Sequence, residues 1–481
     1  MRIECPGYRD PTDQKFCDES KSVVKRAQKS YKTLDRVVVA AGSGKPKHHG
    51  DDQPYSYAKA ATLPSDSLQL LQLLQPIEDV AVAYFMATYI PGSHFDYLPR
   101  MYGQSEIGSC IHATVHAASI AILARKLDQI EVVAMARRWY IRALLETKTS
   151  LADPLVATND TTLVSVLLLG LFEALIWGGV RTPDSWTTHT RGALALIKVR
   201  GTQQFHSETG RQLFFQVGNI ICVNAIRQKT RLPKDFLDIT AKFEQRETKC
   251  PKYWMVCMMG EVSALIADVE EGGMTAVGIV QAIITLDQRY FVFVQGLEPP
   301  WDYQKMFFDH SHPGMFNNTG HQYTSHRAVQ LWNSYRMIRI LINELLYKYA
   351  ICLPSPSSGV LQGRAADNIQ QMALDICASI SRFIHPNASA SLPQFCGDCS
   401  LTSAEFPVSV ASILWPLSAV RGASLASEDL RLYATSQLSN LGRKHCISQA
   451  ECVADDTEID ALHNGLVFVE SIGGMRLTRF F

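Results

Sequence analysis

Ile369-Gln370-Gln371-Met372-Ala373-Leu374-Asp375-Ile376-Cys377-Ala378-Ser379-Ile380-Ser381-Arg382-Phe383-Ile384 sets apolar side chains at 369, 372, 373, 376, 377, 380, 383 and 384. Steps of three and four gather them on one face of a helix. The same spacing returns in Leu331, Trp332, Tyr335, Ile338, Ile342, Leu345 and Leu346. A third helix is expected from Asp184 as N-cap to about Gly201, with Lys198 and Arg200 in its last turn. Acid at the start and base at the end both suit the helix dipole. Phe291-Val292-Phe293-Val294 is the nearest thing to a strand, but it is short and does not alternate. No fixed period runs through the chain, so a regular solenoid is not supported. The expected fold class is all-α: a large irregular helical domain over residues 67–481, with breaks near 230–250, 296–322, 353–366 and 386–406. A basic N-terminal segment, residues 1–36, and a flexible polar linker, residues 37–66, precede it.

Leu163 to Val180 is almost continuously apolar and has the length of a membrane span. Glu173 near its middle, and the N-cap chemistry of Asn159-Asp160-Thr161-Thr162 before it, argue instead for a buried core helix, so no membrane partner is expected.

The 481 residues are 47% hydrophobic and 19% charged, with 46 basic side chains against 46 acidic ones. That composition excludes a wholly disordered chain, and the charge balance excludes a uniformly basic nucleic-acid coat. Any polyanion binding is therefore local. Residues 1–36 carry nine basic and six acidic side chains, a net +3 that leaves −3 on the remainder. The twelve cysteines are scattered, several of them inside apolar helical stretches as Cys222 and Cys377 are, and Met1 to Pro6 has no apolar signal region. A reducing intracellular compartment follows.

Several patterns resemble sites without completing one. Gly42-Ser43-Gly44-Lys45 lacks the earlier glycine and the following hydroxyl of a phosphate loop. His112 and His116 share a helix face but lack the glutamate between them and any evident third ligand. His310 and His312 fall in an expected turn beside Pro313-Gly314, and Cys396-Gly397-Asp398-Cys399 is a single pair without a second at usable spacing. No GxSxG, HExxH or GxGxxG is present. No catalytic residue is assigned and no enzyme is expected.

Lys21 to Arg36 holds six basic residues and one acid. On a helix, Lys21, Lys25, Lys29, Lys32 and Arg36 cluster on one side and Val23, Val24, Ala27, Tyr31 and Leu34 on the other. With Arg26, these bases can touch phosphate, serve as a nuclear-import signal, or solvate one face while the other packs. Glu4-Cys5-Pro6-Gly7-Tyr8-Arg9-Asp10-Pro11-Thr12-Asp13, then Phe16 and Asp18-Glu19-Ser20, closely resembles the segment that closes the DNA-binding module of fungal zinc binuclear cluster (Zn2Cys6) transcription factors. Cys5 matches the sixth zinc-ligand position of that family.

The resemblance continues through Asp153-Pro154, Ala157 to Asp160, Leu167 to Glu173, Trp186 with His189, Arg191-Gly192-Ala193, Lys198 to Gly201, Gln204-Phe205, Gly210 to Phe214, Leu331 to Arg336, Ile376 to Ile380 and Leu414 to Leu417. Among these phrases Trp186, Phe205, Trp332 and Trp415 read as core anchors, and Arg191 and Arg211 as paired or capping residues.

The resemblance implies a nuclear regulator with an α-helical regulatory domain that controls a metabolic or secondary-metabolite gene set. As written, the chain carries one of the six cysteines, so it is expected neither to close the cluster nor to recognise DNA through it. Either coding sequence lies upstream of Met1, or the regulator acts without that head. No cofactor is expected for the chain as it stands; zinc enters only if the upstream cysteines are restored. The expected partners are DNA, if the full cluster exists, together with proteins of the transcription machinery or a second copy. The competing readings are a helical co-regulator that pairs with an intact regulator, and a small-molecule-binding or enzymatic helical protein. A deep polar pocket with perturbed titration would mark the last.

Overall fold

The computed structural model describes residues 76–91, 93–177, 184–244, 250–308, 315–384 and 410–445; the zinc-cluster phrase, the basic segment and the linker lie outside them. Ile77–Tyr84 (α1) runs into a π-helical turn, Phe85–Tyr89, and is followed by Leu98–Gly103 (α2), Cys110–Leu127 (α3), Ile130–Ala152 (α4) and Pro154–Ala157 (α5). Next come Asp160–Trp177 (α6), Asp184–Arg200 (α7), a 3-10 turn Gly201–Phe205, Glu208–Arg227 (α8) and Lys234–Glu244 (α9). Pro251–Glu270 (α10) and Ala276–Gln295 (α11) precede strands Tyr303–Phe307 (β1) and Thr319–Tyr323 (β2). His326–Ala350 (α12), Ser357–Ile384 (α13), Val410–Gly422 (α14) and Glu428–His445 (α15) complete the order.

The helix starts have local causes. Ser207, Thr275 and Ser325 each accept a hydrogen bond from the backbone N–H three residues on, at 2.9, 3.2 and 3.2 Å, satisfying donors that the first turn leaves open. The expected helix from Asp184 runs to Arg200, with Asp184 as its first helical residue. Its basic end is used twice: Arg200 pairs with Asp160 at the start of α6, and Lys198 with Asp235 at 2.5 Å.

Two cores organise the body. Between α1, α3, α4 and α6, the small residues Ala113, Ala117, Ala121, Ala124, Ala136 and Ala143 let backbones approach closely, with Tyr140 and Phe172 stacked at 4.3 Å between centroids. The apolar run that could pass for a membrane span is α6. Leu163, Val164, Leu168 and Phe172 are fully buried, and Glu173 accepts from the Tyr140 hydroxyl with the His189 Nε2 at 3.1 Å. The second core gathers Phe205, Phe214, Phe215, Phe236 and Phe243, whose rings meet at 4.9–6.2 Å, mostly edge to face.

The structure departs from the sequence reading in four places. The expected break at 230–250 holds α9, from Lys234 to Glu244. Phe291 to Val294 is the last turn of α11, because Ile279, Val280, Ile283, Leu286, Tyr290 and Val294 carry a helical period straight through it. The expected break at 296–322 holds an antiparallel hairpin with Tyr303 opposite Tyr323 and Lys305 opposite His321. Its strands, YQKMF and TGHQY, do not alternate, and a two-stranded hairpin is marginal alone. Packing on α13 and α12 holds it. The expected break at 353–366 is mostly helix, since α13 begins at Ser357.

α12 is buried nearly all round. Its apolar side chains Leu331, Ile338, Ile342 and Leu346 are buried, but so are Asn333, Arg336, Arg339 and Asn343, spaced by three, three and four along one face. Asn333 Oδ1 accepts from the Ser379 hydroxyl of α13 at 3.0 Å. Arg336 Nη1 donates to the Tyr323 hydroxyl of β2 at 2.7 Å. Arg339 grips Asp287 of α11 with Nε to Oδ1 at 2.7 Å and Nη2 to Oδ2 at 2.9 Å. Asn343 Nδ2 donates to the same carboxylate at 3.0 Å, and Asn368 of α13 donates to Asn343 Oδ1 at 3.0 Å. Among the described residues α11 alone is long and apolar enough to cross a membrane, yet Asp287 in its middle is tied to this face at 2% exposure.

Removing one partner of such a pair leaves a buried charge, so Arg339→Met is expected to lower unfolding free energy by about 3–5 kcal/mol. Asp287→Leu combined with Arg339→Met should lose clearly less than Arg339→Met alone. Urea unfolding of the three proteins checks this; a double variant at least as unstable as the single one contradicts it.

Candidate functional site

An open cleft with a cavity volume of about 50 Å3 lies where four chain segments meet. The loop after the π-turn supplies Ser93, His94 and Asp96; α8 supplies Gln212, Phe215, Gln216 and Asn219, one helical face by spacing. The first turn of α10 adds Lys252 and Met255, and the first turns of α12 add Arg327, Gln330, Leu331 and Ser334, again on one face. Phe215, Met255 and Leu331 belong to the hydrophobic core, so the floor is apolar and the walls polar.

The charges in the cleft are unequally matched. Arg327 donates Nε and Nη2 to Asp96 Oδ2 at 3.1 and 3.0 Å, and its Nη1 lies 3.5 Å from Glu208 Oε1. Lys252 is half-buried and makes no hydrogen bond or ion pair among the described residues. Burial lowers the pKa of its ammonium, the nearby Arg327 charge lowers it further, and Asp96 opposes both. The amino end of α10, where Lys252 sits, adds positive potential. The Tyr97 hydroxyl, whose pKa burial raises well above the phenolic range, donates to Gln216 Oε1 at 2.7 Å. That bond assigns the oxygen side of the amide and leaves the Gln216 NH2 without a partner among the described residues. The cleft can therefore offer one cation and amide donors above an apolar floor.

A second polar cluster lies under the hairpin. Arg336 is fully buried, donates to Tyr323 and Asn333, and sits 5.1 Å from the Tyr303 ring centre and 5.4 Å from that of Trp332. Its Nη2 donates to His321 Nδ1 at 3.3 Å, so the remaining ring proton of neutral His321 is on Nε2, 3.7 Å from Asp375 Oδ1. Burial, then the charges of Arg336 and Lys305, push the His321 pKa down to about 2. His321 and Asp375 resemble a base and its orienting carboxylate, but the neighbouring Ser379 hydroxyl is spent on Asn333 and on the Ile376 carbonyl. His321, Tyr323 and Arg336 are all buried, so this cluster is a structural one.

Of the residues singled out from sequence, Cys5, Lys21, Lys25, Arg26, Lys29, Lys32 and Arg36 lie outside the described residues, as do His310, His312, Cys396 and Cys399. His112 stacks on Tyr102 at 4.3 Å and His116 on Trp139 at 4.4 Å, packing contacts rather than ligands. Among the described residues no group of three or more His, Cys, Asp or Glu could hold a metal ion. Phe205 is a buried anchor; Trp332 is half-buried with Nε1 donating to the Trp301 carbonyl at 2.7 Å, and Trp415 is half-buried. Arg211 caps the 3-10 turn through the Phe205 carbonyl at 2.9 Å, whereas Arg191 is exposed. Sequence reasoning missed Lys252, Asp96, Arg327 and Gln216. Asp96 and Arg327 are 231 positions apart, and the only local signal was the helical spacing of the two walls.

Residues 69–237 match the fungal specific transcription factor domain, a span that includes α1 to α8 and the cleft walls from the 93–97 loop and α8. Over 139 residues the chain is 27% identical to an uncharacterized protein of Emericella nidulans, a likeness covering 29% of this chain and 29% of that one. No solved structure matches the chain.

The neutral His321 makes stability pH-dependent. Unfolded, its pKa returns to about 6.5, so below that pH the unfolded chain takes a proton that the native state refuses. Its contribution is complete above pH 6.5 and is lost as pH falls toward 2, at up to about 1.4 kcal/mol per unit. The stability difference between the wild type and His321→Gln should shift against the wild type by about 2 kcal/mol between pH 6.5 and 5. Denaturant titrations at the two pH values that stay parallel would contradict the assignment.

Proposed function

We propose that this chain is the regulatory part of a fungal transcription regulator of the Zn2Cys6 type, acting in the nucleus on a metabolic or secondary-metabolite gene set. The observation that carries this reading is the match of residues 69–237 to the fungal specific transcription factor domain. Its support comes from the order of the chain: the matched span follows a phrase, residues 4–20, that resembles the end of a zinc-cluster module. Cys5 is the family's sixth ligand position, and a single thiolate does not hold zinc, which needs four-coordinate closure. Lys21, Lys25, Arg26, Lys29, Lys32 and Arg36 supply affinity for phosphate or an import signal; without base-reading partners they supply little sequence discrimination. The reading assigns the chain no reaction. Its partners are DNA through a completed cluster, and proteins of the transcription machinery or a second copy.

The reading predicts that transcripts extending upstream of codon 1 encode five further cysteines in frame with Cys5, and that the protein made from them binds zinc and DNA. An in-frame stop, with transcripts starting at Met1, would overturn the zinc-cluster version and leave a co-regulator that pairs with an intact regulator. In a fluorescently tagged chain, replacing all six bases of 21–36 by Ala should cut nuclear accumulation several-fold. Unchanged nuclear signal would exclude an import role for the segment.

A further inference from the structure

The cleft leaves polar groups unanswered on an otherwise satisfied wall. Arg327 is held by Asp96 through two bonds and has Glu208 at 3.5 Å, whereas Lys252 makes no hydrogen bond or ion pair among the described residues. Gln216 is 8% exposed, its oxygen is taken by the Tyr97 hydroxyl, and its NH2 has no partner among the described residues. Asn219, one turn further along α8, lines the same space and its side chain is likewise unpartnered there. These groups reach the solvent of the cleft, so an occupant that answers them exchanges their hydrogen bonds to water for its own. The enclosed part of the cleft, about 50 Å3, has room for a carboxylate head group, and the open mouth leaves the rest of an occupant facing solvent.

We propose that this cleft binds a small carboxylate-bearing molecule, its carboxylate paired with Lys252, its carbonyl or hydroxyl groups met by Gln216 and Asn219, and its remaining part at the open mouth. One free cation matches one negative charge. A phosphate monoester carries about −1.5 to −2 at neutral pH and exceeds what Lys252 alone can balance. The occupant touches the 93–97 loop and α8, inside the family-matched span, and α10 and α12, beyond it. Binding therefore ties the two parts of the body together and stabilises the native state. The binding stands apart from the transcriptional reading; its consequence for gene output rests on that reading.

The test uses the whole chain with benzoate and N-acetylglycinate as probes, their neutral amides benzamide and N-acetylglycinamide as controls, and inorganic phosphate as a separate arm. Melting temperature and the acylation of Lys252 by an amine reagent, followed by mass spectrometry, are the readouts. At millimolar concentration either carboxylate should raise the melting temperature and protect Lys252 selectively, and the amides should do neither. Lys252→Met should weaken carboxylate binding about tenfold or more. Absence of Lys252 protection by both carboxylates, equal effects from the amides, or unchanged binding in the variant overturns the proposal, and stronger protection by phosphate overturns the carboxylate assignment. Should Lys252→Met fail to fold, protection in the wild type decides alone. Binding in vitro with no change in a reporter driven by the chain and its Lys252→Met form would count against the transcriptional reading and leave the site intact.

Discussion

A helix buried on all sides has to find a partner for every polar side chain it carries, and α12 carries Asn333, Arg336, Arg339 and Asn343 into the interior. Each goes to a different neighbour: Ser379 of α13, Tyr323 of β2, Asp287 of α11, and Asn368 of α13. The apolar contacts around them are non-directional and would tolerate sliding by a turn. The polar contacts would not, because a one-turn shift would break the two-bond grip of Arg339 on Asp287 inside the core. The desolvation cost of such a pair is large, so its contribution is registry more than net stability. Through it the hairpin, α11 and α13 are set in place around one axis.

The same helix begins in the cleft. Arg327 sits in its first turn against Asp96, and Leu331 and Ser334 line the space one and two turns later, where the buried ladder begins at Asn333. α12 thus runs from a partly open polar site into a closed polar core. Across the cleft, the fungal specific transcription factor match contributes α8, whose other face carries Phe214 into the aromatic cluster. A molecule seated at Lys252 would press on two elements that are each locked into a core. That is the arrangement expected of a site whose occupancy is felt by the whole body rather than by one loop.

Much of the helical architecture was legible because its cause is local. The period over 369–384 reflects a helix that buries Ile369, Met372, Ala373, Ile376, Cys377 and Ile380, and the dipole pattern of 184–200 marks a helix whose basic end makes two ion pairs. Glu173 inside an apolar run was a sound sign of a core helix, since Tyr140 and His189 answer it. The hairpin was not legible: YQKMF and TGHQY carry no alternation, and what holds them is a surface made by α12 and α13. Nor were the arginines of α12. A periodic reading counts Leu331, Tyr335, Ile338 and Ile342 as the buried face and has no means of seeing that Tyr323 and Asp287 wait on the other. The cleft was invisible for the same reason, being assembled from four segments, none with a motif of its own.

A transcription regulator of the proposed kind would occupy promoters, through its own zinc-cluster head or through a partner that has one. Mapping the chromatin occupancy of the tagged chain, expressed from its own locus, tests this most directly. Discrete enrichment at a limited set of promoters, with expression of those genes changing when the chain is deleted, is the predicted result. A uniform background across the genome, with no promoter enriched over an untagged strain, would contradict it.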